Sequence, residues 1–82
     1  MTAAMPQPTD VPEIYLDLRG MFPPEPMEHV LDALAALAPG QQVRLLIDRE
    51  PHPLYRILES NGYVYCRSEP EPGLYQVIIQ ES

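Results

Sequence analysis

The sequence contains no lysine and only one cysteine, and these two absences narrow the possible functions. Five arginines stand against twelve acidic residues, so the formal net charge is -7. Binding to nucleic acid or to an anionic membrane surface relies on clustered Lys and Arg. We therefore expect neither a nucleic acid nor a membrane as a partner. Because Cys66 has no second cysteine to pair with, no internal disulfide forms.

Long apolar runs are also missing from the chain. No stretch approaches the roughly 20 residues that a membrane-spanning helix needs. The first residues show neither the basic region nor the apolar region of a secretory signal, so we expect a cytoplasmic location. With 82 residues and 45% hydrophobic content, the chain predicts one small folded domain over residues 13–82. Residues 1–12 carry three prolines and predict a flexible N-terminal arm.

Hydrophobic periodicity predicts six elements in the order βαβαββ. Right-handed crossovers place both helices on one face of a four-stranded mixed sheet, which is a two-layer sandwich of the α/β (α+β) class. The core stripe predicted for the first helix is Met27, Val30, Leu31, Leu34 and Leu37. The predicted elements are a strand over Glu13–Leu18, a helix over Pro24–Ala38, a strand over Gln42–Ile47, a helix over Pro53–Ser60, and strands over Tyr63–Ser68 and Leu74–Gln80.

The junction between the first strand and the first helix carries a recognisable motif. It reads Leu16-Asp17-Leu18-Arg19-Gly20-Met21-Phe22-Pro23-Pro24-Glu25-Pro26. This segment resembles the signature of the TusA-like (SirA-like) sulfur carriers, in which L-D-x-R-G precedes two residues and Cys-Pro-x-Pro. The resemblance implies the sheet order 1-2-4-3 and puts Pro23 in the place of the reactive cysteine. Since proline has no heteroatom to carry a persulfide, the family's chemistry is not inherited at that position.

A second segment, Asp48-Arg49-Glu50-Pro51-His52-Pro53-Leu54, follows the second strand. It resembles the Asp-x-x-Pro-x-Pro-Leu pattern of an uncharacterised, cysteine-less branch of the same superfamily. Domains of that branch occur alone or fused to haemerythrin-like modules. The resemblance therefore implies a setting in redox, sulfur or nitrogen-oxide metabolism.

The loops that leave the first two strands meet at the carboxyl edge of the sheet, where open α/β sheets usually bind ligands. Two helix starts and nearby arginines at this edge favour an anion or a side chain of a protein partner. The alternative is structural: Arg19 pairs with Asp17 or Asp48, Gly20 supplies a turn, and the prolines start helices. The candidate binding residues are Arg19, Gly20, Pro23, Pro24, Glu25, Asp48, Arg49, Glu50 and His52.

The side of the sheet away from the helices predicts a second surface. If Arg67 lies in solvent, strand alternation turns Cys66 toward the helices. The same alternation places a band of apolar and aromatic side chains on the sheet face that has no helices. Such a band favours a homodimer or a docking surface. Alternatively, the tyrosines pair across strands while Arg44 and Arg67 cover the remainder. The predicted interface residues are Tyr15, Leu46, Tyr63, Tyr65 and Ile78.

Three function classes follow from these residues. The leading hypothesis is a non-catalytic module that binds a protein or a small anionic ligand. The second is a sulfur relay through Cys66. The third is a small metal-dependent or acid/base enzyme built on Asp48, Glu50 and His52. Because the sequence has no Cys pair and no His-x-x-x-His spacing, we expect no metal and no other cofactor.

Overall fold

A computed structural model describes residues 12–81, and its elements follow the predicted order. The flexible arm predicted for residues 1–12 lies outside the described residues, except for Pro12. No helix in the described part of the chain is long and apolar enough to cross a bilayer. The elements are β1 (Glu13–Asp17), α1 (Glu25–Ala35), β2 (Gln42–Ile47), α2 (His52–Ser60), β3 (Tyr63–Glu71) and β4 (Leu74–Glu81).

The four strands form one mixed sheet in the order β1-β2-β4-β3, which confirms the predicted topology. Strand β1 pairs with β2 in parallel, and β4 runs antiparallel to both β2 and β3. Leu45 illustrates the register at the centre of the sheet, since it lies opposite Leu16 on one side and Val77 on the other. Parallel β1 and β2 are each followed by a helix, so both helices begin at the same edge of the sheet.

The core lies between the sheet and the helices. For β1, β2 and β4, strand alternation correctly predicts which side chains the sheet contributes to this core. Leu45 and Val77 are completely inaccessible to solvent. In β1 and the residue after it, in β2 and in β4, the alternate apolar side chains all belong to the core cluster or pack against it: Ile14, Leu16, Leu18, Val43, Leu45, Ile47, Tyr75, Val77 and Ile79.

Helix α1 is shorter than predicted, because it ends at Ala35 and not at Ala38. Its buried residues are Val30, Ala33 and Leu34. The prediction for Leu31 is wrong, since its side chain is 42% exposed. One residue along an α-helix turns the side chain by about 100°, so Leu31 falls off the stripe that Val30 and Leu34 define.

Strand β3 corrects the predicted facing of Tyr63, Tyr65 and Cys66. Both tyrosines pack against the core on the helix side, and the Tyr65 ring stacks on Tyr55 of α2 with a centroid distance of 4.9 Å. Cys66 is exposed on the opposite face. The prediction failed because Arg67 was assigned to solvent. It lies on the helix side instead, where it forms an ion pair with Glu50.

The hairpin of β3 and β4 is longer than predicted. Strand β3 continues beyond Ser68 to Glu71, so the connection shrinks to Pro72 and Gly73. Gly73 has φ +81°, a left-handed conformation that glycine adopts without strain. The pairing register shifts between Ser68 and Glu71, which marks a bulge around Pro70. Proline is tolerated here because β3 is an edge strand.

Candidate functional site

The two loops at the carboxyl edge of the sheet are joined by a hydrogen bond. The Gly20 N–H, in the β1–α1 loop, donates to Asp48 Oδ2 in the β2–α2 loop over 2.9 Å. Gly20 has φ +80°, so this position requires a residue that tolerates the left-handed region. The structure thus brings the two predicted segments together, with Asp48 as the connecting side chain.

Arg19 pairs with Asp17, as the structural alternative predicted. Its Nε and Nη2 atoms donate to the two carboxylate oxygens of Asp17 at 2.8 and 2.7 Å, and its backbone N–H adds a third bond at 3.2 Å. Hydrogen bonds from Arg19 lower the pKa of Asp17 to about 2. The guanidinium is therefore committed within the chain, although its side chain stays half exposed.

Glu50 is the centre of a network that links the β2–α2 loop, α2 and β3. It forms an ion pair with Arg67 and accepts a hydrogen bond from the Tyr55 hydroxyl over 3.2 Å. The Nε2 atom of the exposed His52 lies 3.6 Å from Glu50 Oε1. Burial, followed by the charge of Glu50, raises the pKa of Tyr55. These contacts give Glu50 a structural role that attaches α2 to the edge strand.

The helix starts offer few backbone donors to an anion. Pro24 and Pro51 occupy the N-cap positions, and neither helix has a side-chain cap. In the first turn of α2, His52 donates its N–H to Glu50 O, while Leu54 and Tyr55 donate theirs to Pro51 O. Pro53 has no N–H to give. Most of the amides on which the anion prediction depended are therefore absent or already bonded.

Among the three residues of the enzyme hypothesis, Asp48 has a different partner from Glu50 and His52. Asp48 accepts the Gly20 N–H, while Glu50 is engaged by Arg67 and Tyr55. Within residues 12–81, no three His, Cys, Asp or Glu side chains are grouped so that they could hold a metal ion. Arg49 is exposed, and it forms no ion pair with any other described residue. Of the three residues, only Glu50 and His52 approach each other, with 3.6 Å between Glu50 Oε1 and His52 Nε2.

An apolar depression of about 120 Å³ opens between the two helix starts. Phe22 directly precedes Pro23, one of the residues that line this depression, and is 79% exposed. Sequence reasoning missed Phe22, Pro26, Met27, Ile47 and Pro53; an aromatic residue directly before a proline cluster was the available signal. We call this depression the proline hollow, and its lining residues are Pro23, Pro24, Pro26, Met27, Ile47 and Pro53.

Comparison with known proteins shows which family this sequence belongs to. The sequence matches the family described as "Uncharacterized conserved protein (DUF2249)" over residues 15–81. The chain belongs to this family. The crystal structure of the SirA-like protein from Desulfitobacterium hafniense is similar to it, with a TM-score of 0.71 and 28% sequence identity. That match covers 79% of this chain and 92% of the other, and it confirms the TusA-like resemblance. No curated protein matches.

The open face of this DUF2249 sheet is more polar than predicted. A hydrogen-bonded row crosses three strands, because Gln42 donates to Glu13 over 3.0 Å and accepts from Gln80 over 2.9 Å. Arg44 lies on the same face, where it pairs with Glu13 at 3.0 Å and donates to the Gln76 side chain at 3.3 Å. This polar ladder interrupts the predicted apolar band. The apolar and thiol side chains on this face are Tyr15, Leu46, Val64, Cys66 and Ile78.

Proposed function

We propose that this DUF2249 chain is a non-catalytic module that binds a partner protein through Phe22 and the proline hollow. One observation carries the proposal. Where the similar sulfur carriers have their reactive cysteine, this chain has Pro23, which lines an apolar hollow, and the preceding residue in the chain, Phe22, is 79% exposed. The resemblance to cysteine-less relatives supports a role in cytoplasmic redox, sulfur or nitrogen-oxide metabolism.

The chemistry of the edge supports binding by apolar contact. Covering a fully exposed phenylalanine side chain contributes about 1.5–3 kcal/mol. The proline hollow is lined by proline, methionine and isoleucine side chains, none of which can act as an acid, a base or a nucleophile. Two of the nearby charge pairs are satisfied within the chain, Asp17 with Arg19 and Glu50 with Arg67, whereas Arg49 forms no ion pair with another described residue. A small anionic ligand is the alternative, but the bonded amides at the helix starts favour a protein.

The test is capture of cytoplasmic proteins from the source organism by the immobilised chain and by a Phe22→Ala variant. We expect a specific set of proteins that the variant loses, with an unchanged melting temperature because Phe22 contributes little to the core. Val64→Ala is the matched control, since Val64 is 49% exposed on the opposite face of the sheet. A captured set that survives Phe22→Ala but is lost with Val64→Ala would overturn the proposal.

A sulfur relay is the second candidate, and the exposure of Cys66 favours it. The sequence had predicted a buried thiol, which could not have reached a donor. In a relay, the persulfide of a cysteine desulfurase passes its outer sulfur to the Cys66 thiolate and leaves the desulfurase cysteine as a thiolate. Mass measurement after incubation with desulfurase and cysteine tests this. We expect no added sulfur; an adduct that disappears in Cys66→Ala would establish the relay.

A homodimer through the open face stays a prediction, with other residues than the sequence indicated. Tyr63 and Tyr65 are not on this face, and Val64 and Cys66 take their place beside Tyr15, Leu46 and Ile78. Light scattering at increasing concentration tests it, with Leu46→Glu as the disrupting variant. A strict monomer at high concentration would overturn the dimer and leave the partner-binding proposal intact.

A further inference from the structure

Helices α1 and α2 leave a groove between them that extends beyond the proline hollow. A second depression of about 330 Å³ lies toward their C-terminal ends. The two depressions are about one helical turn apart on both helices. On α1, Met27 lines the first depression and Leu31, four residues later, lines the second. On α2, Pro53 and Ile57 have the same spacing and line the same two depressions. We call the whole feature the interhelix groove. The second depression is lined by Leu31, Leu34, Ala35, Ile57, Asn61 and Tyr63.

The apolar wall of this groove is not fully covered by the chain itself. Leu31 is 42% exposed, although its neighbours Val30 and Leu34 are buried. Ile57 faces it from α2 and is half-buried. A leucine in this position contributes little to the core, and covering it together with Ile57 would add apolar burial. The groove is therefore suited to apolar side chains from outside the domain.

The α1 side of the groove carries a row of carboxylates. Glu25, Glu28 and Asp32 are three and four residues apart and exposed, so they share one side of the helix. None of the three forms an ion pair with another described residue, whereas Arg19, Arg44 and Arg67 are all paired elsewhere. The α2 side has one exposed cation, Arg56. Charge complementarity calls for a partner with cations along α1.

The secondary structure of the groove walls indicates the backbone conformation of the occupant. Both walls are helices, whose interior backbone groups are bonded within the helix. An extended peptide would find no strand edge to pair with, whereas a helix brings its own backbone bonds and needs only side-chain contacts. Helix α1 has 11 residues. At 1.5 Å per residue, the groove is about 16 Å long and accommodates about three turns of a docked helix.

We propose that the interhelix groove binds the apolar face of a positively charged amphipathic helix from a partner protein. This inference rests on the proposed function, because it names what the partner presents. Apolar side chains spaced i, i+3, i+4 and i+7 on the partner fill the groove between Leu31 and Ile57. Lysine or arginine residues beside that stripe lie against Glu28 and Asp32.

The probe is a synthetic peptide of about four helical turns, with leucine at i, i+3, i+4 and i+7 positions and lysine elsewhere. A peptide with glutamate in place of lysine and a scrambled leucine/lysine peptide are the controls. Amide chemical shifts map the contact, and fluorescence anisotropy gives the affinity. We expect shifts at Leu31, Ala35, Ile57 and Asn61, and binding of the patterned lysine peptide alone.

Variants of the protein separate apolar contact from charge. Leu31→Ser is expected to weaken binding about tenfold or more, as truncation of a central interface residue does. Val64→Ser, a β-branched residue with similar exposure on the other face, is expected to leave the affinity unchanged. The double variant Glu28→Lys, Asp32→Lys is expected to lose the lysine peptide and to gain the glutamate peptide.

Three outcomes would overturn the inference. One is equal binding of the patterned and scrambled peptides, which would show attraction by net charge alone. Another is a dimer in light scattering that Leu31→Ser dissociates, which would make a second copy the occupant. The third is absence of peptide binding while the capture of proteins still depends on Phe22; the proposed function would then stand without the groove. If that capture also fails, both fall.

Discussion

The open face of the sheet and the helix layer differ in how they leave side chains exposed. On the open face, Gln42 bonds Glu13 and Gln80 on the neighbouring strands, so the exposed polar groups satisfy one another. On the helix side, Phe22 and Leu31 are apolar and uncovered. The open face also exposes Tyr15 at 52% and Val64 at 49%, so the two faces differ in the bonded polar row and not in the presence of exposed apolar side chains. We propose the helix side as the partner-binding side because the apolar proline hollow lies there.

Two adjacent leucines give the largest expected difference between the faces. Leu45 is 0% exposed and points into the core, while Leu46 is only partly buried on the open face. We expect Leu45→Ala to lower the free energy of unfolding by about 3 kcal/mol, since it opens a cavity. Leu46→Ala is expected to lower it by about 1 kcal/mol. Urea denaturation measures both, and equal losses would erase the distinction between the two faces.

Gln42 tests whether the polar ladder acts as a unit. It is 7% exposed and bonds both neighbours. We expect Gln42→Ala to lower the free energy of unfolding by about 1–2 kcal/mol, because Glu13 and Gln80 each lose a partner. In a double-mutant cycle, Gln42→Ala and Gln80→Ala should cost less together than the sum of the single losses. Strict additivity would show that the row is held by water and not by its own members.

Alkaline pH tests the aromatic contact between α2 and β3. Burial raises the pKa of Tyr55 above the usual value of 10.0 for tyrosine, and the hydrogen bond to Glu59 raises the pKa of Tyr65 above the same value. The folded state therefore favours the protonated phenols. Their contribution is complete below pH 10 and is lost as pH rises through the higher folded values. We expect Tyr55→Phe to flatten the alkaline fall in melting temperature; an unchanged profile would contradict this.

The smallest effect is expected at the ion pair of Asp17 and Arg19. The pKa of Asp17 is lowered from 3.8 to about 2, so its stabilising contribution is present above pH 3.8 and is lost as pH falls through about 2. Because both side chains are half exposed, solvent screens the pair. We expect Asp17→Asn to leave the melting temperature at neutral pH almost unchanged. A large loss would mean that the β1–α1 loop depends on this pair.

Periodicity was sufficient for most of the fold. Alternation in β1, β2 and β4 correctly predicted which side chains face the helices. Each of these strands has apolar residues at every second position, such as Val43 and Leu45 in β2. Strand β3 has tyrosines on one face and Val64 and Cys66 on the other, so apolar alternation alone does not show which face points toward the helices. The prediction for this strand therefore depended on where Arg67 was placed. The sequence does not reveal that Glu50, far away along the chain, draws Arg67 to the helix side.

The candidate site was predictable only in part. The two motifs correctly indicated that Gly20 and Asp48 lie at one edge, since parallel strands end together. The proline hollow was not predictable, because Pro23, Ile47 and Pro53 come from separate elements and form a cavity only after packing. Local spacing also could not decide between the two carboxylates available to Arg19, and the nearer one in sequence, Asp17, takes it.

The bulge in β3 has a consequence for self-assembly. A sheet with free edges grows by adding strands from other chains, which is the route to fibres. Here one edge carries Pro70 within a shifted register, flanked by Glu69 and Glu71, and these features discourage a new strand. The other edge is β1, a five-residue strand between Pro12 and Leu18. With both edges blunted, the domain is expected to be recognised by its side chains and to resist amyloid growth.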